Sequence, residues 1–162
     1  MIETYEQELI QTIKEVHPNT SPYMGEFDNK EELELLVKGL EAYVFVEFVS
    51  ERYINPVSRS VIYNIHIFTS SSSKTQKYRQ NNRYAGLLLC EKIDEKLRNS
   101  VLCNEFRLQP KSLKVSLNEI TQYGYTHILT REIESELLEK DEFLLDDNEL
   151  SEQNEFFNKG II

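Results

Sequence analysis

The sequence predicts an α+β domain, with one mainly antiparallel sheet built from two hairpins and helices packed on it. Three observations carry the prediction. Apolar residues recur at helical spacing near the start (Ile2, Leu9, Ile13, Val16) and again between Tyr84 and Leu97. Two pairs of segments rich in β-branched and aromatic residues, "AYVFVEFVS" with "RSVIYNIHIFT" and "SLKVSLN" with "QYGYTHILTREIE", are each joined by a short stretch. The chain has 162 residues, 40% of them hydrophobic, which suits a single core. Residues 1–134 are assigned to this domain and 135–162 to an acidic C-terminal extension.

In chain order, the first helix is expected from about Glu3 to Val16. Pro18 ends it by disfavouring helical backbone at His17. "TSPYMGEF" is expected as an extended connection. Asp28 is the expected cap of a second helix, its side-chain oxygen accepting an orphan backbone N–H and Glu31 closing an Asp-x-x-Glu capping box. Gly39 is the expected stop. "AYVFVEFVS" is apolar on both faces apart from Glu47, so it is expected as a central strand covered on both sides.

"SERYINPVSR" is expected as a turn. In the next strand Val61, Tyr63, Ile65 and Ile67 share one face, while Ile62, Asn64, His66 and Phe68 share the other. "RYAGLLLCEKIDEKLRN" is expected as a helix with Tyr84, Leu87, Leu88, Ile93 and Leu97 on its apolar face. "VLCNEFRLQPKS" connects onward, with a short strand at Phe106 to Leu108. In the last pair, Leu113, Val115 and Leu117 alternate, and Tyr123, Tyr125, His127, Leu129 and Ile133 share a side. The acidic end holds either a helix with Leu137, Leu138, Phe143 and Leu144 or a segment that orders only on a partner.

The net charge of −10 is unevenly spread. From Arg131 to Ile162 there are 11 acidic and 3 basic residues, so residues 1–130 carry a net charge of only −2. A nearly neutral body lacks the basic excess of a general DNA binder. The start of the chain lacks the basic and apolar regions of a signal peptide, and no apolar run approaches the roughly 20 residues that span a bilayer. A cytoplasmic, membrane-free protein is therefore expected.

Catalytic chemistry finds little support in the sequence. Cys90 and Cys103 are expected to be ordinary thiols, with Cys90 a small core residue. The three histidines lack metal-ligand spacing. His17 is expected in a loop, and His66 and His127 as hydrogen-bonded structural residues in strands. No Gly-rich phosphate loop and no nucleophile elbow can be written. No cofactor, no metal and no enzymatic activity are expected.

"TSSSSKTQKYRQNNRYAG", Thr69 to Gly86, holds Lys74, Lys77, Arg79 and Arg83 and no acidic residue. It is expected as a long polar loop running from strand to helix. It has three readings: a plain surface loop, a nucleic-acid contact using Tyr78 and Tyr84, or a subunit contact that meets a neighbour's carboxylates. The turn with Arg52 and Tyr53 is a weaker interface candidate.

Several segments, taken in order, resemble a known family. They are "MIETYEQELIQTIKE", "GLEAYVFVEFVS", "SVIYNIHIFTSSS", "RYAGLLLCEKIDEKL" and "LQPKSLKVSLNEITQYGYTHILTREIE". From about Ile2 to Ile133 the chain resembles the phage tail-terminator-like family, the Mu-type tail-completion proteins similar to the lambda tail terminator. None of the segments is specific alone, and the acidic extension departs from the family's compact ending. The resemblance implies an α+β fold and a homo-oligomeric, hexameric ring. Such a ring sits on the head-proximal end of the tail tube in the virion, after assembly in the host cytoplasm, and joins the tube to the head connector. Its partners would be tail tube and head-connector proteins, with DNA passing through the ring. The competing expectations are another virion adaptor, such as a connector or baseplate component, and a small nucleic-acid-binding protein.

Overall fold

The computed structural model describes residues 1–39, 41–73, 75–102, 108–122 and 124–138. Lys74, Cys103, Tyr123, Phe106 and the extension beyond Leu138 lie outside these residues, so the expectations placed on them are not addressed. Among the described residues the fold is α+β, with three α-helices and one five-stranded sheet of mixed, mostly antiparallel strands. Among the described residues, no helix is long and apolar enough to cross a membrane.

Helix α1 spans Ile2–Lys14. It buries Tyr5, Leu9 and Ile13, one residue per turn along a single stripe. Ile2 and Val16 pack at the edge of the same core. A three-residue strand, β1 (Thr20–Pro22), then pairs parallel with β2 (Tyr43–Asn55). This corrects the expected extended connection: three residues are too few to show a strand period, and the pairing runs through backbone groups.

Between β1 and β2 lie a 3-10 turn, Glu26–Asp28, and helix α2, Lys30–Gly39. The cap of α2 is Asn29, not Asp28. The Glu32 backbone N–H donates to Asn29 Oδ1 at 3.1 Å, while Asp28 is spent inside the 3-10 turn.

Strand β3 is Ser58–Ser71, helix α3 is Gln76–Arg98, β4 is Leu108–Thr121 and β5 is Gly124–Leu138. The sheet order is β1-β2-β3-β5-β4, with β3 antiparallel to both β2 and β5. β3 is therefore the middle strand. β2 is not covered throughout: β1 flanks it only at Val44–Val46, and from Phe48 to Asn55 it is exposed. The expected turn "SERYINPVSR" shrinks to Pro56 and Val57, because both strands continue past the helices that cover them. Asn55 Oδ1 accepts the Val57 backbone N–H at 3.0 Å and closes the turn.

The alternation in β3 sorts the two faces. Val61, Tyr63, Ile65 and Ile67 enter the main core with Leu129, Ile133 and Leu137 of β5, under α1 and α3. Phe68 enters a smaller core with Phe45, Ile128 and Val37 of α2. β4 is an edge strand, and its alternation does not build the core. Leu113 and Val115 are exposed with register shifts beside both, while Leu117 packs on the smaller core and Leu108 on the main one. β5 runs four residues into the segment assigned to the extension, pairing Ser135–Leu138 with Val61–Ser58.

Candidate functional site

The cationic segment is not a long loop. β3 continues to Ser71 and α3 begins at Gln76. The serines form a compact turn between them: the Ser73 N–H donates to Ser71 Oγ at 3.3 Å, and the Thr75 N–H donates to Ser73 Oγ at 3.4 Å. Lys77, Arg79 and Arg83 thus lie on the first turns of α3, where the glutamine and asparagines that suggested a loop are exposed or half-buried helix positions. Tertiary packing of one helix face outweighs their weak helix propensity.

Helical geometry divides these cations. Lys77 and Arg83 are exposed, whereas Arg79 is half-buried. Arg83 Nη1 donates to Gln80 Oε1 at 2.9 Å, and Gln80 Nε2 donates to the Tyr84 hydroxyl at 2.6 Å, so the outer face is internally braced. Tyr84 and Leu88, expected on the apolar face, are exposed instead. The inward stripe is Gly86, Cys90, Ile93 and Leu97, and its continuation toward the N-terminus at the same spacing is Arg79 and Asn82.

The buried stripe therefore changes from apolar to polar along one helix. Beneath its first half lie Thr69 of β3 and Tyr125, His127 and Leu129 of β5. A Cβ at Gly86 would lie 3.5 Å from both Thr69 and Leu129, so the helix sits close to the sheet here. Tyr125 and His127 stack with ring centroids 6.2 Å apart. The Tyr125 hydroxyl donates to Asn118 Oδ1.

His127 is 1% exposed and neither ring nitrogen has a hydrogen-bond partner among the described residues, which departs from the expected hydrogen-bonded structural histidine. Arg79 Nε and Asn82 Nδ2 are also buried without partners among the described residues. Leaving a buried donor unpaired costs about 1–3 kcal/mol, so these groups are under-satisfied by the described residues. Burial pushes the His127 pKa down, and the nearby Arg83 guanidinium adds to the effect. Burial pushes Tyr125 up against the opposing pull of Arg83 and Arg79. Arg79, Asn82 and Arg83 supply hydrogen-bond donors, a chemistry that receives carboxylate or phosphate oxygens.

Other candidates separate from this site. Arg52 pairs in register with Ser60, 11 residues back along β3 from Ser71, or about 35 Å at strand rise. Tyr53 is 56% exposed, and the Arg59 guanidinium lies 5.7 Å from its ring centre. Arg52 and Tyr53 therefore belong to the opposite end of the sheet from the α3 cations.

His66 does have the expected hydrogen bonds. Its Nε2 is 2.9 Å from Glu47 Oε1 and its Nδ1 is 2.8 Å from Thr130 Oγ1, which in turn is 2.5 Å from Ser116 Oγ. Sequence spacing could not show this chain of four groups, because they come from four strands. Thr130 is 1% exposed, so its hydroxyl has no face for a substrate. His17 Nε2 is 2.7 Å from the Ala42 carbonyl oxygen. Burial and the neighbouring Asp94 push the Cys90 thiol up to about 11, so it remains protonated and inert at neutral pH. Among the described residues, no group of three His, Cys, Asp or Glu side chains gathers as a metal site.

The sequence matches no protein-family model and no curated protein.

Proposed function

We propose that this chain is a structural tail-completion protein of a phage or prophage, which self-assembles into a ring that caps the head-proximal end of the tail tube and meets the head connector. The observation that carries this reading is the first half of α3, where Lys77 and Arg83 are exposed and Arg79 is half-buried. Arg79 Nε and Asn82 Nδ2 lack partners among the described residues, and the buried His127 lies beneath them. The exposed cations of this face are suited to receiving carboxylates from another protein. The order of segments and their resemblance to the tail-terminator-like family supply the biological setting. The finer sheet architecture, two hairpins joined through one helix, is part of the same proposal, as is a hexameric copy number.

The test is deletion of the gene in the phage or prophage that encodes it, followed by electron microscopy of tails. Tails of abnormal length that fail to join heads are expected. Absence of the protein from assembled tails refutes the reading, and labelling at the distal end assigns it to the baseplate instead. Reversing the exposed cations with Lys77→Glu and Arg83→Glu is expected to block joining while the monomer still folds. Unchanged assembly would reduce this helix to a plain surface. The cations also favour a second reading, contact with nucleic acid. Binding that weakens steeply with salt supports it, and no shift of DNA or RNA at low salt removes it.

A further inference from the structure

Among the described residues, β4 is the outermost strand, paired on one side with β5. The other side of such a strand offers backbone N–H and C=O groups to any extended chain. Pro110 and the register shift after it blunt the start of this edge. From Leu113 to Ile120 the edge shows three apolar side chains, Leu113 37%, Val115 53% and Ile120 48% exposed. Lys114 and Glu119 are exposed on the same segment.

Partners in an antiparallel pair share a face. Leu113 and Val115 pair with Arg131 and Leu129, and Asn118 and Ile120 pair with His127 and Tyr125, so these four share the α3 face. Lys114, Leu117 and Glu119 pair with Thr130, Ile128 and Thr126 on the α2 face. Ser116 joins them, its Oγ 2.5 Å from Thr130 Oγ1, as the extra residue of the register shift between Val115 and Leu117. Two copies of a regular strand, related by a two-fold axis normal to the sheet, can pair only residues an even number apart, because side chains alternate. The extra residue makes that number odd when the two shifts face each other. Leu113 then lies opposite Ile120, Lys114 opposite Glu119 and Val115 opposite Asn118, each pair on a common face.

We propose that the β4 edge pairs with the β4 edge of a second copy, antiparallel and two-fold symmetric, with Lys114 of each copy against Glu119 of the other and Leu113 of each against Ile120 of the other. The register that the bulge allows is the one in which charges and apolar groups match, and this agreement identifies the occupant. Symmetry counts each cross-strand pair twice. Sliding one copy by two residues sets Lys114 against Leu117 or Thr121 and loses both ion pairs.

Neighbouring charges permit the match. Beside Glu119, Asp28 and Glu34 outnumber Lys30, which favours an incoming lysine. Near Lys114, Lys111 is tied to Glu134 at 3.3 Å and Glu132 belongs to β5, one strand further in, so Lys114 is the charge nearest the edge. The residues after Leu138 are poorer occupants. They leave β5 beside Leu108, so the direct return along this edge would run parallel to β4 and cross the chain entering β4 there, which sheets avoid. The contact is isologous and closes at two copies. It neither rests on the tail-completion reading nor supplies the head-to-tail contact of a ring.

The test is a charge swap in the full-length chain, with circular dichroism to check folding and sedimentation equilibrium to read association. The unaltered chain is expected to dimerise at millimolar protein, with amide exchange slowed over residues 113–120. Lys114→Glu alone and Glu119→Lys alone are each expected to weaken the dimer about tenfold, since each sets like charges together twice. Both changes in one chain restore it, and so does an equimolar mixture of the two single variants, in which both pairs are again opposite in sign. If the double variant does not fold, the mixture decides.

A monomeric unaltered chain overturns the proposal and fits an edge covered within the chain. Single changes that leave association as it was overturn it, as does a folded double variant, or in its absence a mixture, no tighter than the single variants. Tail capping is scored separately in assembled virions. Normal capping by a chain that never pairs sinks this contact and leaves the tail-completion reading standing.

Discussion

Replacing Gly124 with alanine is expected to be far more damaging than the same change at Gly25, although both glycines have positive φ. Gly124 opens β5 at φ 143° and Gly25 precedes the 3-10 turn at φ 91°. Backbone that L side chains rarely adopt costs roughly 1–3 kcal/mol when a Cβ is added. At Gly25 that is the whole cost, because a new Cβ meets nothing within 4 Å. At Gly124 the new Cβ would lie 3.0 Å from the Ser71 carbonyl carbon and 3.2 Å from Ser72 Cα, and inside contact distance of the Ser71 carbonyl oxygen. These are backbone atoms of β3 and the turn after it, so they yield only if the strands separate. Overpacking adds roughly 1–3 kcal/mol, for a total near 4 kcal/mol. In a domain of this size that lowers Tm by roughly 10–15 °C. Thermal unfolding followed by circular dichroism, with urea titration as a second measure, reads the difference. Equal losses for Gly124→Ala and Gly25→Ala would show that the close approach of β5 to Ser71 is absent. That approach also sets Tyr125 and His127 beneath α3.

Three further outcomes follow from the same structure. Asn29→Ala should cost about 1 kcal/mol in urea unfolding and Asp28→Ala markedly less, since Asn29 holds the α2 cap; the reverse order would restore Asp28 as the cap. His127 has its pKa depressed in the folded state, first by burial and then by Arg83, so the unfolded chain binds its proton more readily. Its contribution to stability is therefore full above the unfolded value near 6.5 and declines as pH falls from there toward the folded value, and His127→Phe should flatten that limb of a stability–pH curve. Gly86→Ala should be neutral or stabilising by up to about 1 kcal/mol in thermal unfolding, because its Cβ would find ordinary contacts at 3.5 Å and alanine favours helix; a loss above that size would mean that α3 sits closer to Thr69 than described.

Much of the fold was legible because period and burial agree. The alternation of Val61, Tyr63, Ile65 and Ile67 against His66 and Phe68 names the two faces of the middle strand correctly. The stripe of Leu9 and Ile13 does the same for α1. Legibility fails where a local pattern competes with a distant one. The stretch after Ser71 has loop composition, yet its backbone is helical from Gln76, because Gly86, Cys90, Ile93 and Leu97 anchor the helix on the sheet. Leu113 and Val115 alternate like core residues, but among the described residues no strand or helix covers that edge.

The candidate site was half legible. Lys77, Arg79 and Arg83 were singled out by their charge, while Asn82 and His127 were not connected to them. The missing signal was the helical spacing from Gly86 back through Asn82 to Arg79, hidden by the loop composition.

Residue order alone settles which stretches alternate, which face of β3 is apolar, and where charge collects, since these depend on neighbours within a turn or a strand. Strand order is different. That β3 lies between β2 and β5, that His66 reaches Glu47 and Thr130, and that His127 lies buried near Arg83 all depend on residues 19 to 64 positions apart. Those pairings are chosen by which chain segments can jointly exclude water, a property of the assembled core that no local window contains.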